Sequence, residues 1–395
     1  MHHLDALRAL LLLQVVPYHA AILYSTQPEW FVKSDDTSLL MTWISGSLGI
    51  FSMTGFFMIS GWLTVRYLKT RPVDQWMRIR LERLGIPLVT CMLLLSPLAI
   101  LAGNIAANER GGAVPGETFG GSYLSDLMVA NDRWLGHLWF LPTLLAFSAV
   151  IWLACKRGWY APILKRLGSG LNVIPNDFLC WLVVIAFFAV WRTGFQTAEF
   201  IARENWGYQP SLLGILDIKR LAVHFPAIIF GLVIGYNDQL RRRLVRATPL
   251  RTMLVLFFMA AFIGLSGAET FSLKVLQTVI QNGLGIAICM VLIGGLENVF
   301  SRPQGWVSFI SRHSYSVYLF HFAPVVLLGV AMRRIQLPPL VEFVTVVTLT
   351  LTIAFSLAVL VSRSRILSFL FNGVPPGEYR RTSRQMFRTS DPYKS

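Results

Sequence analysis

The chain has 395 residues, of which 54% are hydrophobic and only 14% charged, and it carries a formal charge of +15. Soluble domains average nearer a quarter charged, so this composition excludes an ordinary water-soluble enzyme and reads as a protein that crosses a membrane many times. The cationic excess does not mark a nucleic-acid binder, because its distribution follows membrane topology.

Apolar segments near residues 4–24, 44–66, 85–105, 135–155, 178–195, 213–236, 250–268, 275–296, 314–332 and 340–362 predict an all-α, polytopic bundle of about ten spans. One transmembrane domain covers 1–371, and a basic tail, 372–395, has the composition of a disordered segment. With the N-terminus placed in the cytoplasm, 24 of the 35 Lys and Arg residues fall on inner segments and in the tail. That positive-inside bias predicts both termini in the cytoplasm and membrane lipid, not nucleic acid, as the partner of the charge. Cys91, Cys155, Cys180 and Cys289 lie in or beside apolar spans without CxxC spacing, which argues against a disulfide framework or a metal site.

The first span carries Asp5, Arg8 and His19, with no small-x-small cleavage site, so it reads as a retained helix rather than a signal peptide. Arg8 and His19 are eleven residues apart, which puts them on one stripe of a helix about 16 Å apart along its axis. Ionisable groups inside a bilayer are costly, so an aligned pair marks a candidate functional site. A neutral imidazole at His19 can take a proton from a hydroxyl, and Pro17 just before it frees a backbone carbonyl. Arg8 reads equally as a fork for phosphate or carboxylate and as a snorkelling anchor paired with Asp5. In the second span Ser60-Gly61 predicts close packing against another helix.

The loop after that span reads Arg78-Ile-Arg80-Leu-Glu-Arg83-Leu-Gly-Ile-Pro87. By spacing alone its cations are ordinary inner-loop charge, although Arg80 and Arg83 can share a helix face. The longest outer loop, 105–134, is glycine-rich, and a second outer segment, 196–212, sets Glu199, Arg203 and Glu204 beside Trp206 and Tyr208. His137 opens the fourth span and can orient a substrate hydroxyl; an interfacial His beside Trp139 is also ordinary. Lys219 and Arg220 at an outer span end can attract an anionic group, although anchoring is the commoner role. Ser314, Tyr318 and His321 recur at four and three residues, giving one polar helix face that serves either packing or a tunnel. No Walker, GxGxxG, HExxH or GxSxG motif is present.

Taken in order, these elements resemble the acyltransferase 3 family of integral membrane acyltransferases. The matching elements are Arg8 with His19, Arg80-x-x-Arg83, His137-Leu-Trp-Phe140, and Ser314-Tyr-x-x-Tyr318-Leu-x-His321. The stretches Leu4-Asp-Ala-Leu-Arg8, His19-Ala-Ala-Ile-Leu-Tyr-Ser25 and Phe369-Leu-Phe-Asn-Gly373 are further similar to members associated with osmoregulated periplasmic glucans. The resemblance implies a multi-pass protein of the bacterial inner membrane that holds no permanent cofactor. It implies an acyl-CoA co-substrate, succinyl-CoA by the closer likeness, and a periplasmic glucan hydroxyl as acceptor, with glucan-synthesis proteins as partners. It further implies catalysis by His19 and donor binding by Arg80 and Arg83; beside these, Arg8 is read as a further donor-binding residue and Asp5, His137, Ser314, Tyr318 and His321 as supporting or substrate-orienting residues. It leaves open whether His19 acts as a base or carries the acyl group. A transporter or flippase for glucans or their precursors is the competing class; the lack of inverted repeats and the Arg8–His19 alignment weigh against it.

Overall fold

The computed structural model describes residues 2–27, 30–109, 132–206, 211–212, 215–268, 270–300 and 302–375. Among these, the chain is a helical bundle in which the strands are one short antiparallel pair, β1 (Ser211–Leu212) and β2 (Leu216–Asp217). Helical form follows from the apolar composition: inside a bilayer every backbone polar group must be satisfied within its own segment.

The first half of the bundle comprises α1 (His2–Leu23), α2 (Leu39–Leu68), α3 (Val73–Arg80), a π-turn over Leu81–Gly85, α4 (Ile86–Leu94) and α5 (Ser96–Glu109). After the one-turn α6 (Asp132–Leu135) and a 3₁₀ turn (Gly136–Trp139) come α7 (Phe140–Lys156), α8 (Tyr160–Asn172) and α9 (Asp177–Trp206). The second half comprises α10 (Ile218–Tyr236), α11 (Asp238–Leu244), α12 (Pro249–Gly264), α13 (Phe271–Val299), α14 (Gly305–Phe320), α15 (Phe322–Ile335), α16 (Pro339–Arg363) and α17 (Arg365–Asn372).

Eight helical runs are long and apolar enough to cross a membrane, among them the continuous run Val73–Ala106. Two bent pairs, α11–α12 at 60° and α14–α15 at 58°, bring the number to ten if each is one span. Eight to ten candidate spans agree with the all-α polytopic bundle expected, with two differences from the sequence reading. Arg80 and Arg83 lie on helix instead of a loop, because the polar start of the third span continues the helix below its apolar part. The segment expected to loop from residue 196 is helical to Trp206, so α9 extends well beyond its apolar stretch. Most of the glycine-rich loop (110–131) and most of the tail (376–395) lie outside the described residues.

α1 is central: it packs against α2, α13, α14, α15 and α16, and Leu4, Leu7, Leu11, Leu12, Val15, Val16 and Leu23 on it are almost wholly buried. The most extensive helix pair is α2 with α10. Backbones touch there, as Ser60-Gly61 predicts: a Cβ on Gly61 would lie 2.2 Å from the Ile228 carbonyl oxygen, and one on Gly231 would lie 2.0 Å from that of Met58. Small residues permit this approach where lipid offers no hydrophobic drive between helices. Arg251 fixes the bend between α11 and α12. It is buried, and its guanidinium donates to the carbonyls of Arg243 (2.9 Å), Leu244 (3.2 Å), Arg246 (3.0 Å) and, across the bundle, Asp177 (2.8 Å). It thereby satisfies carbonyls that a helix end leaves without partners. The four cysteines are free.

Candidate active site

Two groups of polar side chains meet inside the bundle. The first gathers at the face where α1 begins. Arg80 ends α3, and its Nη2 donates to Ser60 Oγ (3.2 Å) and Thr64 Oγ1 (3.0 Å) on α2, while its guanidinium lies 5.5 Å from the Trp76 ring centre. Arg8 projects from α1 and comes within 3.8 Å of Asp5, one turn away. Asp5 does not reach the cavity; it accepts from Ser311 Oγ at 3.1 Å and so ties α1 to α14. Arg83 sits in the π-turn, whose backbone oxygen at that residue accepts from the Tyr315 hydroxyl at 2.8 Å. Arg8 is within electrostatic range of Arg83, and Arg80 is within range of both. Three guanidiniums drawn together in an apolar bundle repel one another, and the Asp5 carboxylate beside Arg8 offsets part of that repulsion.

Arg8 and Arg80 line a cavity of about 160 Å³ that continues past Ser60 and Ser314 to Tyr318 and Phe140. Tyr318 joins the first group to the second. Its hydroxyl donates to the His137 backbone carbonyl, and its ring centre lies 5.5 Å from the His137 ring.

The second group is a row of three imidazoles. His19 on α1 and His321 have ring centres 5.1 Å apart, and His321 and His137 are likewise 5.1 Å apart. His321 occupies the break between α14 and α15, where the chain bends by 58°. Two carbonyls at this break accept from side chains: Tyr318 O from His321 Nδ1 at 2.6 Å, and Leu319 O from His137 Nε2 at 3.3 Å. A carbonyl oxygen can only accept, so the neutral His321 carries its proton on Nδ1 and leaves Nε2 as a lone pair. That Nε2 is buried without a hydrogen-bond partner, and so is Nδ1 of His19. Two unpartnered imidazole nitrogens in one apolar cluster are costly, and such pairs mark places where a polar group binds or a proton moves.

Aromatic rings wall this cluster. Tyr18, Trp30 and Phe322 lie 4.8, 5.8 and 5.5 Å from the His19 ring, Trp30 face to face and the other two edge-on. Trp30 and Phe31 come from the segment that links α1 to α2 and folds back over the end of α1.

The structure therefore gathers the residues singled out in the sequence. Arg8, Arg80, Ser314 and Tyr318 share one cavity, Arg83 is beside it, and His19, His137 and His321 form one cluster next to it. Lys219 and Arg220 are ion-paired, with Glu199 at 2.8 Å and Asp217 at 3.2 Å, and the Arg220 guanidinium also lies 4.8 Å from the Trp139 ring centre. Two intramembrane groups escaped the motif reading. His224 stacks between Phe57 (4.8 Å) and Trp139 (5.4 Å), and Arg192 reaches Thr54 Oγ1 at 3.4 Å. The cost of ionisable groups in a bilayer, the signal that marks His19, applies to both of these and was available in the sequence.

Over residues 1–359 the chain matches the family model for an acyltransferase domain, and it belongs to the acyltransferase 3 family of integral membrane acyltransferases. Its relatives include Glucans biosynthesis protein C of Salmonella paratyphi B, of Salmonella enteritidis PT4 and of Salmonella choleraesuis. Each is 24% identical over 389 residues, covering 95% of this chain and 95% of theirs. No solved structure matches the chain.

Proposed function

We propose that this membrane acyltransferase is an O-succinyltransferase of the bacterial inner membrane, with both termini in the cytoplasm. It moves succinyl groups from succinyl-CoA to hydroxyls of periplasmic glucans. The observation that carries the reading is the continuity of the site. Three arginines stand at the face where α1 begins, a cavity lined by two of them, Arg8 and Arg80, leads to Tyr318, and beyond it two unpartnered imidazole nitrogens face an aromatic pocket.

On this reading Arg80 and Arg83, with Arg8 beside them, hold the phosphates of the donor, since a planar fork suits phosphate oxygens. Asp5 positions Arg8. The thioester arm follows Ser314 and Tyr318 toward the imidazoles. A glucan hydroxyl enters from the opposite side, against Trp30, and gives its proton to His19 as it attacks the thioester carbon. The carbon–sulfur bond breaks, the new ester stays on the sugar, and the thiolate of the departing CoA is reprotonated. His321 and His137 hold the reacting groups in place around His19. The glucan acceptor and the succinyl donor follow from the relatives' name and from the motif likeness, and the arginine–histidine geometry supports the direction of transfer.

The test compares periplasmic glucans from cells lacking the protein, cells with it, and cells with His19→Ala at equal membrane abundance. Anion exchange reads charge, and mass spectrometry reads substituents. The parent protein is expected to add succinyl-sized mass and negative charge, and His19→Ala to add neither. Identical substituents in all three, with different amounts of glucan outside the cell, would instead identify a transporter.

A further inference from the structure

We propose that the end of α17, Asn372–Gly373, is a positioning element that sets the backbone under Arg83 and thereby tunes donor binding. This rests on the reading of Arg83 as a phosphate ligand. The starting point is that Arg83 sits on a π-turn. Such a turn is a rare, locally unfavourable wider coil that shifts every following side chain around the helix axis, and it persists only where its surroundings hold it.

Two contacts hold this one. Gly373 packs directly against its backbone: a Cβ there would lie 2.0 Å from the Glu82 carbonyl oxygen and 2.5 Å from Arg83 Cα. Gly373 also has φ 58° and ψ 32°, a left-handed conformation that ends α17 and that glycine adopts without penalty. From α14, the Tyr315 hydroxyl donates to the Arg83 carbonyl at 2.8 Å. The next residue, Ser316, donates to Asn372 Oδ1 at 2.7 Å. Consecutive residues of α14 therefore tie the π-turn and the end of α17 into one junction, and Phe371 seals it against Phe320 at 5.0 Å.

This accounts for a stretch that the donor and acceptor chemistry leaves unused. Phe369-Leu-Phe-Asn-Gly373 lies almost 300 residues from Arg83 in sequence, yet it presents the only residue type whose backbone fits against Glu82 and Arg83. A side chain at 373 must push the π-turn away, and with it the arginine.

The experiment uses the full chain purified in lipid nanodiscs, with coenzyme A as the probe, calorimetry for affinity and thermal unfolding for folding. Gly373→Ala and Asn372→Ala are expected to weaken coenzyme A binding by roughly tenfold, the worth of one misplaced charge-assisted contact. Arg83→Gln does the same alone and adds little on top of Gly373→Ala, because both remove one interaction. Independent, additive losses would overturn the proposal, as would parental affinity in Gly373→Ala while Arg83→Gln binds weakly. Parental affinity in Arg83→Gln itself would remove the donor role of Arg83, and the proposal with it. Should Gly373→Ala not fold, Asn372→Ala and Ser316→Ala carry the same cycle without changing the left-handed residue.

Discussion

Replacing Arg80 by Gln separates a ligand-binding arginine from a structural one. In the folded protein this guanidinium has two hydroxyl partners, Ser60 and Thr64, and the Trp76 ring, but among the described residues no carboxylate pairs with it. Its charged neighbours are Arg8 and Arg83. Like charges in range at the effective dielectric of a protein interior repel by about 1–2 kcal/mol per pair. Losing Arg80 relieves two such repulsions, which offsets two hydroxyl hydrogen bonds worth about 1–2 kcal/mol each. Stability should therefore change by no more than about 2 kcal/mol in either direction. Donor binding has no such compensation. A charge-assisted bond to phosphate contributes about 1.5–3 kcal/mol, or roughly 10- to 150-fold in affinity. Calorimetry with coenzyme A on nanodisc-embedded protein measures the second quantity, and thermal unfolding of the same sample measures the first. The expected pair of results is a large loss of affinity with a nearly unchanged unfolding midpoint. A protein that binds coenzyme A as before, or one that loses stability by several kcal/mol and affinity only in step with it, would refute the assignment of the trio to the donor.

Three further perturbations address the rest of the molecule. Arg251→Met strands four carbonyl acceptors at the α11–α12 bend and should cost about 2–4 kcal/mol, read as a lower unfolding midpoint with coenzyme A affinity preserved in the folded fraction. Arg251→Lys should recover little of this, since an ammonium cannot span four carbonyls as a planar fork does. Gly231→Val forces a side chain into the Met58 carbonyl and should destabilise by about 3 kcal/mol or more, seen as lost membrane abundance or early unfolding; wild-type stability would mean that α2 and α10 do not touch as described. Tyr318→Phe removes the bond to the His137 carbonyl but leaves the ring, so acyl transfer should fall about tenfold at saturating donor, while coenzyme A affinity stays within about twofold.

The spans were legible because a bilayer imposes a length and a composition on each helix, and helical periodicity alone aligned Arg8 with His19. What periodicity could not supply was relation between helices. The spacing of Ser314, Tyr318 and His321 does not by itself say that the helix breaks at His321; the signal is Pro324, three residues on, which lacks the N–H that an unbroken helix would donate to the Phe320 carbonyl. The same limit hid the π-turn. Arg80 and Arg83 read as ordinary inner-loop charge, whereas the structure sets Arg83 on a coil held by Tyr315 and Gly373, residues far away in sequence. Arg192 and His224 belong to no motif, so only the cost of a polar group within an apolar span marks them.

The bend at His321 gives the site its character. An unbroken helix would use the carbonyls of Tyr318 and Leu319 within its own ladder. At the break they accept from His321 and His137 instead, and this fixes where the proton of each neutral ring resides. His321 must then turn a lone pair toward the cluster that contains His19, whose own Nδ1 has no partner. Backbone geometry thus sets the tautomer, and the tautomer leaves His321 Nε2 as a hydrogen-bond acceptor inside the cluster. A helix-straightening change should therefore impair transfer even with all three histidines in place, because it returns the carbonyls to the ladder and leaves His321 free to choose the other tautomer.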